Sequence, residues 1–237
     1  MKSKRSSKQS QSKASDIAAS EDKQNELFPV VGIGASAGGL EAFIQLLSHL
    51  PTDTGMAFVI VQHMSPNQES LLSVILSRST QMPVSEVLTG MTVAPNHVYV
   101  ISPNVSMTIA QGVLKLKPRG KTGGQFMTVD TFLLSLAEER GSKAIAVILS
   151  GSDGDGTRGV EAIKAAGGVT FAQSQDTAKV DSMPNTAIAT GQVDFILPPE
   201  KIAEKIAEIS LHPYIVNNLP VKKSPASENA IAASGNY

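Results

Sequence analysis

Cysteine is missing from all 237 residues, which excludes disulfides, thiolate metal sites and a cysteine nucleophile. Tryptophan is missing too, and aromatic residues make up only 4% of the chain. Neither sign of charge dominates: the formal net charge is −1, so there is no general bias toward nucleic acid or an anionic membrane. No apolar run approaches the roughly 18 residues that a membrane span needs. The basic start, "MKSKRSSKQSQSKASD", leads into no apolar core and so does not read as a secretory signal. These absences leave a soluble, cytoplasmic protein with no nucleic-acid partner and no membrane insertion as the expectation.

What is present is one core between two polar ends. Residues 1–26 are rich in Ser, Lys and Gln and nearly free of large apolar side chains. Such a segment cannot bury enough surface to offset its ordering entropy, so it is expected to be a disordered basic tail. Lys2, Lys4, Arg5, Lys8 and Lys13 could touch an anionic partner, although solubilisation alone accounts for them. Residues 213–237 are similarly expected to form a flexible tail, leaving a domain over 27–212.

Within that domain the pattern alternates. "FPVVGIG" and "AFVIVQ" are short β-branched runs, and "GGLEAFIQLLSHL" carries Leu40, Phe43, Ile44 and Leu47 at helical spacing before Pro51. "QESLLSVILSRS" reads as helix. The stretch from Val87 to Pro118, with turn signals at Pro-Asn and Gln-Gly, reads as β-hairpins. Strand and helix patterns then alternate from "TVDTFLLSLAEER" to "PEKIAEKIAEIS". Continuously apolar strands alternating with helices predict a three-layer, doubly wound α/β fold. Its sheet is mostly parallel, with a β-hairpin insertion and a functional crevice at the carboxyl ends of the strands.

The first strand ends in "GIGASAGG". Gly32, Gly34 and Ala37 fit the dinucleotide fingerprint G-x-G-x-x-A, but that motif needs an acid after the second strand, where Gln62 and His63 stand. Shifted by two residues, the same stretch is G-x-S-x-G around Ser36, a strand-to-helix turn on which small neighbours relieve a tight bend. The N–H of Ala37 and the start of the following helix could then stabilise an oxyanion. Small residues at such turns also occur for packing alone. A serine nucleophile needs a base and an orienting acid. His49 and His212 read as surface positions and His97 as the start of a hairpin strand, whereas His63 sits at the end of a core strand. The strand "AIAVILS" runs into "GSDGDGTRG", whose Asp153 and Asp155 could orient a histidine, cap the next helix or contribute to a Ca²⁺ loop lacking further ligands. Three strands thus each finish in a triad-type group. Their order, Ser–His–Asp, is not that of chymotrypsin, subtilisin or the α/β-hydrolases.

Four blocks, "GASAGGLEAF", "VQHMSP", "VILSGSDGDGTRGVEAIKAAGG" and "DSMPNTAIATGQVDFILPP", resemble the catalytic domain of the bacterial chemotaxis protein-glutamate methylesterases, the CheB family. The resemblance spans about residues 28–210. It implies hydrolysis of glutamyl methyl esters on chemoreceptor helices, often with deamidation of receptor glutamines, and no cofactor or metal. It implies Ser36 as nucleophile, His63 as base and, because the family loop reads L-[ST]-G-x-x-x-D-G, Asp155 as the acid. Ala37 and Gly38 would line the oxyanion site, with Ser152 toward the substrate; Met64, Met183 and Pro184 are candidates for lining the cleft, although methionines of this kind also fill cores. Ala37 and Ser152 stand where relatives often carry Thr and Met or Thr. The form of the motifs is most similar to methylesterase domains fused to methyltransferases. The family's usual receiver domain has no counterpart ahead of Phe28, so control would come from elsewhere. A methyltransferase or a separate response regulator are the implied partners besides methyl-accepting receptors. A retained fold that only docks a partner, or an esterase or amidase with another substrate, are the alternatives.

Overall fold

The structure is a computed structural model that describes residues 27–62, 71–119 and 127–212. The two expected tails, His63 and Met64 lie outside the described residues. Ten strands are described: β1 Val30–Ala35, β2 Ala57–Gln62, β3 Val84–Glu86, β4 Met91–Thr92, β5 His97–Val100, β6 Val105–Ala110, β7 Val113–Pro118, β8 Ala144–Ile148, β9 Val169–Gln173 and β10 Phe195–Leu197. The helices are α1 Gly39–His49, α2 Leu72–Leu76, α3 Thr128–Arg140, α4 Thr157–Ala165, α5 Ser182–Ala189 and α6 Pro199–Ser210.

Seven strands form one sheet in the order β10-β9-β8-β1-β2-β5-β3, with every neighbouring pair parallel. The chain winds outward from β1 on one side, then returns to β8 on the other. The β1–β8 boundary is therefore the switch point, where adjacent connections leave in opposite directions and open a crevice. The expected hairpins are only partly there. β4, β6 and β7 make a separate antiparallel sheet, but β5 joins the main sheet in parallel, between β2 and β3. His97 thus opens a strand of the parallel sheet and not of a hairpin. β-branched runs between turns look alike in both settings, and tertiary pairing decides.

Alternation along the strands divides the core into two layers. Val31, Ile33 and Ala35 of β1 face Phe43, Leu46 and Leu47 of α1 and Ile202 and Ile206 of α6. The buried stripe of α1 is Ala42, Phe43, Leu46 and Leu47, slightly rotated from the expected one, with Leu40 and Ile44 half-buried at its edge. On the other face lie Phe132, Leu133 and Leu136 of α3, Val160 and Ile163 of α4, and Met107, Ile109 and Leu114 of the small sheet.

β1 meets α3 with bare backbone. A Cβ on Gly32 would fall 2.6 Å from Leu133 Cδ2, and one on Gly34 would fall 2.3 Å from Val129 Cγ1. Gly34 therefore makes room for a helix, not for the turn that follows it. Gly34→Ala is expected to destabilise the fold by about 1–3 kcal/mol, the usual cost of overpacking. Val129→Ala in the same chain should recover most of that loss. Urea midpoints of the two single variants and the double variant measure the coupling. Additive losses would show that the contact is not the cause.

Candidate active site

β1 ends at Ala35, and Ser36 begins the turn into α1. The Ser36 N–H donates to the Ser150 carbonyl at 3.0 Å, and the Ser36 carbonyl accepts the Gly39 N–H at 3.0 Å. This holds the serine half-buried at the sheet edge, beside an exposed Ala37. Among the described residues no carbonyl accepts the Ala37 N–H. Gly38, the N-cap of α1, has φ 77° and is closely covered: a Cβ there would lie 2.6 Å from Ser150 Oγ. Left-handed geometry and crowding both restrict the position to glycine.

Ser150, wholly buried just beyond β8, locks this turn in place. Its hydroxyl donates to the Ala37 carbonyl at 2.8 Å and accepts the Val180 N–H at 3.0 Å. Its own N–H donates to Gln173 Oε1 at 2.9 Å, while Gln173 Nε2 donates to the Thr177 carbonyl at 3.0 Å. The Gly151 N–H donates to the Val180 carbonyl, and its carbonyl accepts the Met183 N–H. One hydroxyl and one amide thus join the Ser36 turn, the end of β8 and the loop after β9. Ser150 and Gln173 were not foreseen as site residues. The available signal was a single polar residue closing each of two apolar strands, "AIAVILS" and "VTFAQ".

Asp155 is wholly buried. Its Oδ2 accepts the Val129 N–H at 2.8 Å and its Oδ1 the Asp130 N–H at 2.8 Å. Those are orphan donors in the first turn of α3, whose N-cap Met127 supplies no side-chain cap. A carboxylate there is favoured by the helix dipole as well as by both bonds. Asp153 closes the loop differently, with Oδ1 accepting the Asp155 N–H at 3.0 Å. Arg119 reaches the same corner, donating from Nε to the Val105 carbonyl and from Nη2 to Thr128 Oγ1. Burial pulls its guanidinium below the ordinary value, and the charge of Asp155 partly offsets that.

Of the expected site residues, Ser36, Ala37 and Gly38 form one turn, with Gly151 against it: a Cβ on Gly151 would lie 3.1 Å from Ser36 Cβ. Ser152 is exposed on the following loop. Met183 presents no surface; it is 0% exposed and packs against Gly151 from the core side. Pro184 is also buried. Gln62, which precedes His63, pairs in register with Ala35, which precedes Ser36.

A family model described as CheB methylesterase matches residues 31–206. The chain belongs to the CheB methylesterase family. Family relatives include a protein-glutamate methylesterase/protein-glutamine glutaminase of Syntrophus aciditrophicus, 33% identical over 79% of this chain and 54% of its own length. A protein of the same description from Pseudomonas aeruginosa is 34% identical over 76% of this chain and 52% of its own. The chain therefore spans about half the length of these relatives. The crystal structure of the Thermotoga maritima CheB methylesterase catalytic domain is 33% identical and superposes with a TM-score of 0.71, covering 77% of this chain and 99% of that domain. The parallel sheet and flanking helices are those of the family domain.

The Ser150 lock carries its own test. Ser150→Ala removes the partner of the half-buried Val180 N–H and of the Ala37 carbonyl, at an expected cost of about 0.5–1.5 kcal/mol in denaturant unfolding. Ser150→Thr, which keeps the hydroxyl, should remain closer to the parent protein. Equal stability of the alanine variant would remove the lock from the account.

Proposed function

We propose that this domain is a serine hydrolase removing methyl esters from glutamate side chains of methyl-accepting chemoreceptor helices. The observation that carries the reading is Ser36 itself, half-buried on a tight turn at the switch point, with its N–H tied to the β8 loop that also holds Asp155. Family membership and the names of the relatives support the substrate class. Ser36 attacks the ester carbonyl while His63 takes its proton, and the oxyanion is met by the Ala37 N–H at the start of α1. His63 returns the proton to the departing methanol. Water, activated by His63, then releases the glutamate. Asp155 orients the imidazole and stabilises its cation. Gly38 and Ser152 border the substrate.

Deamidation of receptor glutamines follows the same path with ammonia as the leaving group, in keeping with the glutaminase in the relatives' names. No described helix is long and apolar enough to cross a membrane. We read the protein as a cytoplasmic component whose partners are the receptor and a methyltransferase or a response regulator.

Receptors carrying radioactive methyl esters are expected to release methanol when incubated with the protein. Ser36→Ala should abolish release, and His63→Ala or Asp155→Asn should lower kcat by roughly 10³–10⁴-fold. Ser36 should also react with a fluorophosphonate probe. Probe labelling without methanol release would move the activity to another ester or amide. Absence of both would leave a docking module.

A further inference from the structure

Asp130 lies in the first turn of α3 and is only 2% exposed. Its Oδ1 accepts the Gly159 N–H at 2.9 Å, in the first turn of α4. That helix, like α3, has no side-chain cap of its own, since its N-cap is Gly156. The two helices therefore cap each other. Asp155, just ahead of α4, satisfies the Val129 and Asp130 N–H groups of α3. Asp130, on α3, satisfies Gly159 of α4. Gly159 also marks where the helices touch, because a Cβ there would fall 2.4 Å from Leu133 Cβ.

The exchange is not symmetrical. Both oxygens of Asp155 are bonded, whereas among the described residues Asp130 Oδ2 is buried without a hydrogen-bond partner. An unpartnered oxygen costs far less in a neutral acid than in a carboxylate. Two adjacent buried carboxyls also resist ionising together. Facing Asp130 are Asp155, on the loop before α4, and exposed Arg158 on α4; Arg119, from the end of β7, acts on Asp155. The strands under α3, namely β1, β2, β6 and β8, carry no titratable side chain.

We propose that Asp130 is a positioning residue of the esterase reaction: a protonated carboxyl that caps α4 and thereby fixes the loop carrying Asp155, the acid of the triad reading. This rests on the triad reading given above. Burial, reinforced by the neighbouring charge of Asp155, holds the Asp130 carboxyl above its ordinary range against the pull of the Gly159 N–H and the Arg158 charge. Keeping Asp130 neutral adds no further charge to a corner that already holds Asp155 and, on the same loop, Asp153. Ionising it would add one and further stabilise the protonated form of the base.

The test is the rate of fluorophosphonate labelling against pH for the parent protein, Asp130→Asn, Asp130→Ala and Ser36→Ala. Asn is neutral and keeps the acceptor for Gly159, so Asp130→Asn should label within about threefold of the parent, with an unmoved acidic midpoint. Asp130→Ala should label about ten- to a hundredfold more slowly through loss of alignment, with its acidic midpoint shifted to lower pH. If Asp130→Ala does not fold, Asp130→Ser, whose shorter hydroxyl falls away from Gly159, carries the same expectation. A downward midpoint shift in Asp130→Asn would show that Asp130 is ionised and overturn the proposal. So would parent-like kinetics in the alanine or serine variant. Parent labelling that survives in Ser36→Ala would instead overturn the triad reading, so the two failures are separable.

Stability gives an independent reading. The unfolded chain ionises Asp130 at its ordinary pKa, while the folded chain holds the proton to higher pH. Its stabilising contribution is complete below the ordinary value and is lost as pH rises through the folded one. The urea midpoint of Asp130→Asn should therefore gain on the parent across that window. A constant difference would contradict the neutral acid.

Discussion

The approach of α3 to the bare backbone of β1 sets the depth of the whole site. With only hydrogen at Gly32 and Gly34, Leu133 and Val129 rest directly on the strand. The first turn of α3 is thereby brought down beside the β8 loop, where its Val129 N–H meets Asp155. A side chain at either glycine would lift the helix and pull the acid's anchor with it. Packing on one face of the sheet is thus coupled to the direction of a carboxylate at its edge.

Much of this arrangement could be read from residue order. Continuously apolar strands ending in small or polar residues announce a parallel sheet, and the strand-end rule leads to Ser36, His63 and either Asp153 or Asp155, between which only the family resemblance chooses. The partnerships made by tertiary contact were less visible. Gly34 looked like part of a turn because G-x-S-x-G describes a turn; nothing local shows that Val129, almost a hundred residues on, needs the space. His97 looked like a hairpin residue because pairing partners are not written into a β-branched run. Met183 fits both cleft lining and core filling on sequence, because thioethers suit either, and it fills the core. Nothing in the sequence singles out Asp130, because its burial and its Gly159 partner depend on α4, which arrives later in the chain.

The site is held mainly by backbone amides and short polar side chains. Ser150, Gln173 and Asp130 each satisfy donors or acceptors that the parallel sheet and its helices leave open. Buried groups of this kind cost little while paired and much when one partner is lost, so they favour a single arrangement of the loops. The exposed ion pair between Lys179 and Glu41, over the same turn, adds comparatively little rigidity because solvent screens it.

The central claim is that the ester is cleaved through a bond to Ser36. Mass spectrometry of protein quenched during turnover of a methyl-esterified receptor tests it most directly. The expected result is a transient acyl adduct, formed with loss of methanol, on the peptide that contains Ser36 and absent from Ser36→Ala. Steady turnover with no such adduct, or with the adduct on another residue, would contradict the account.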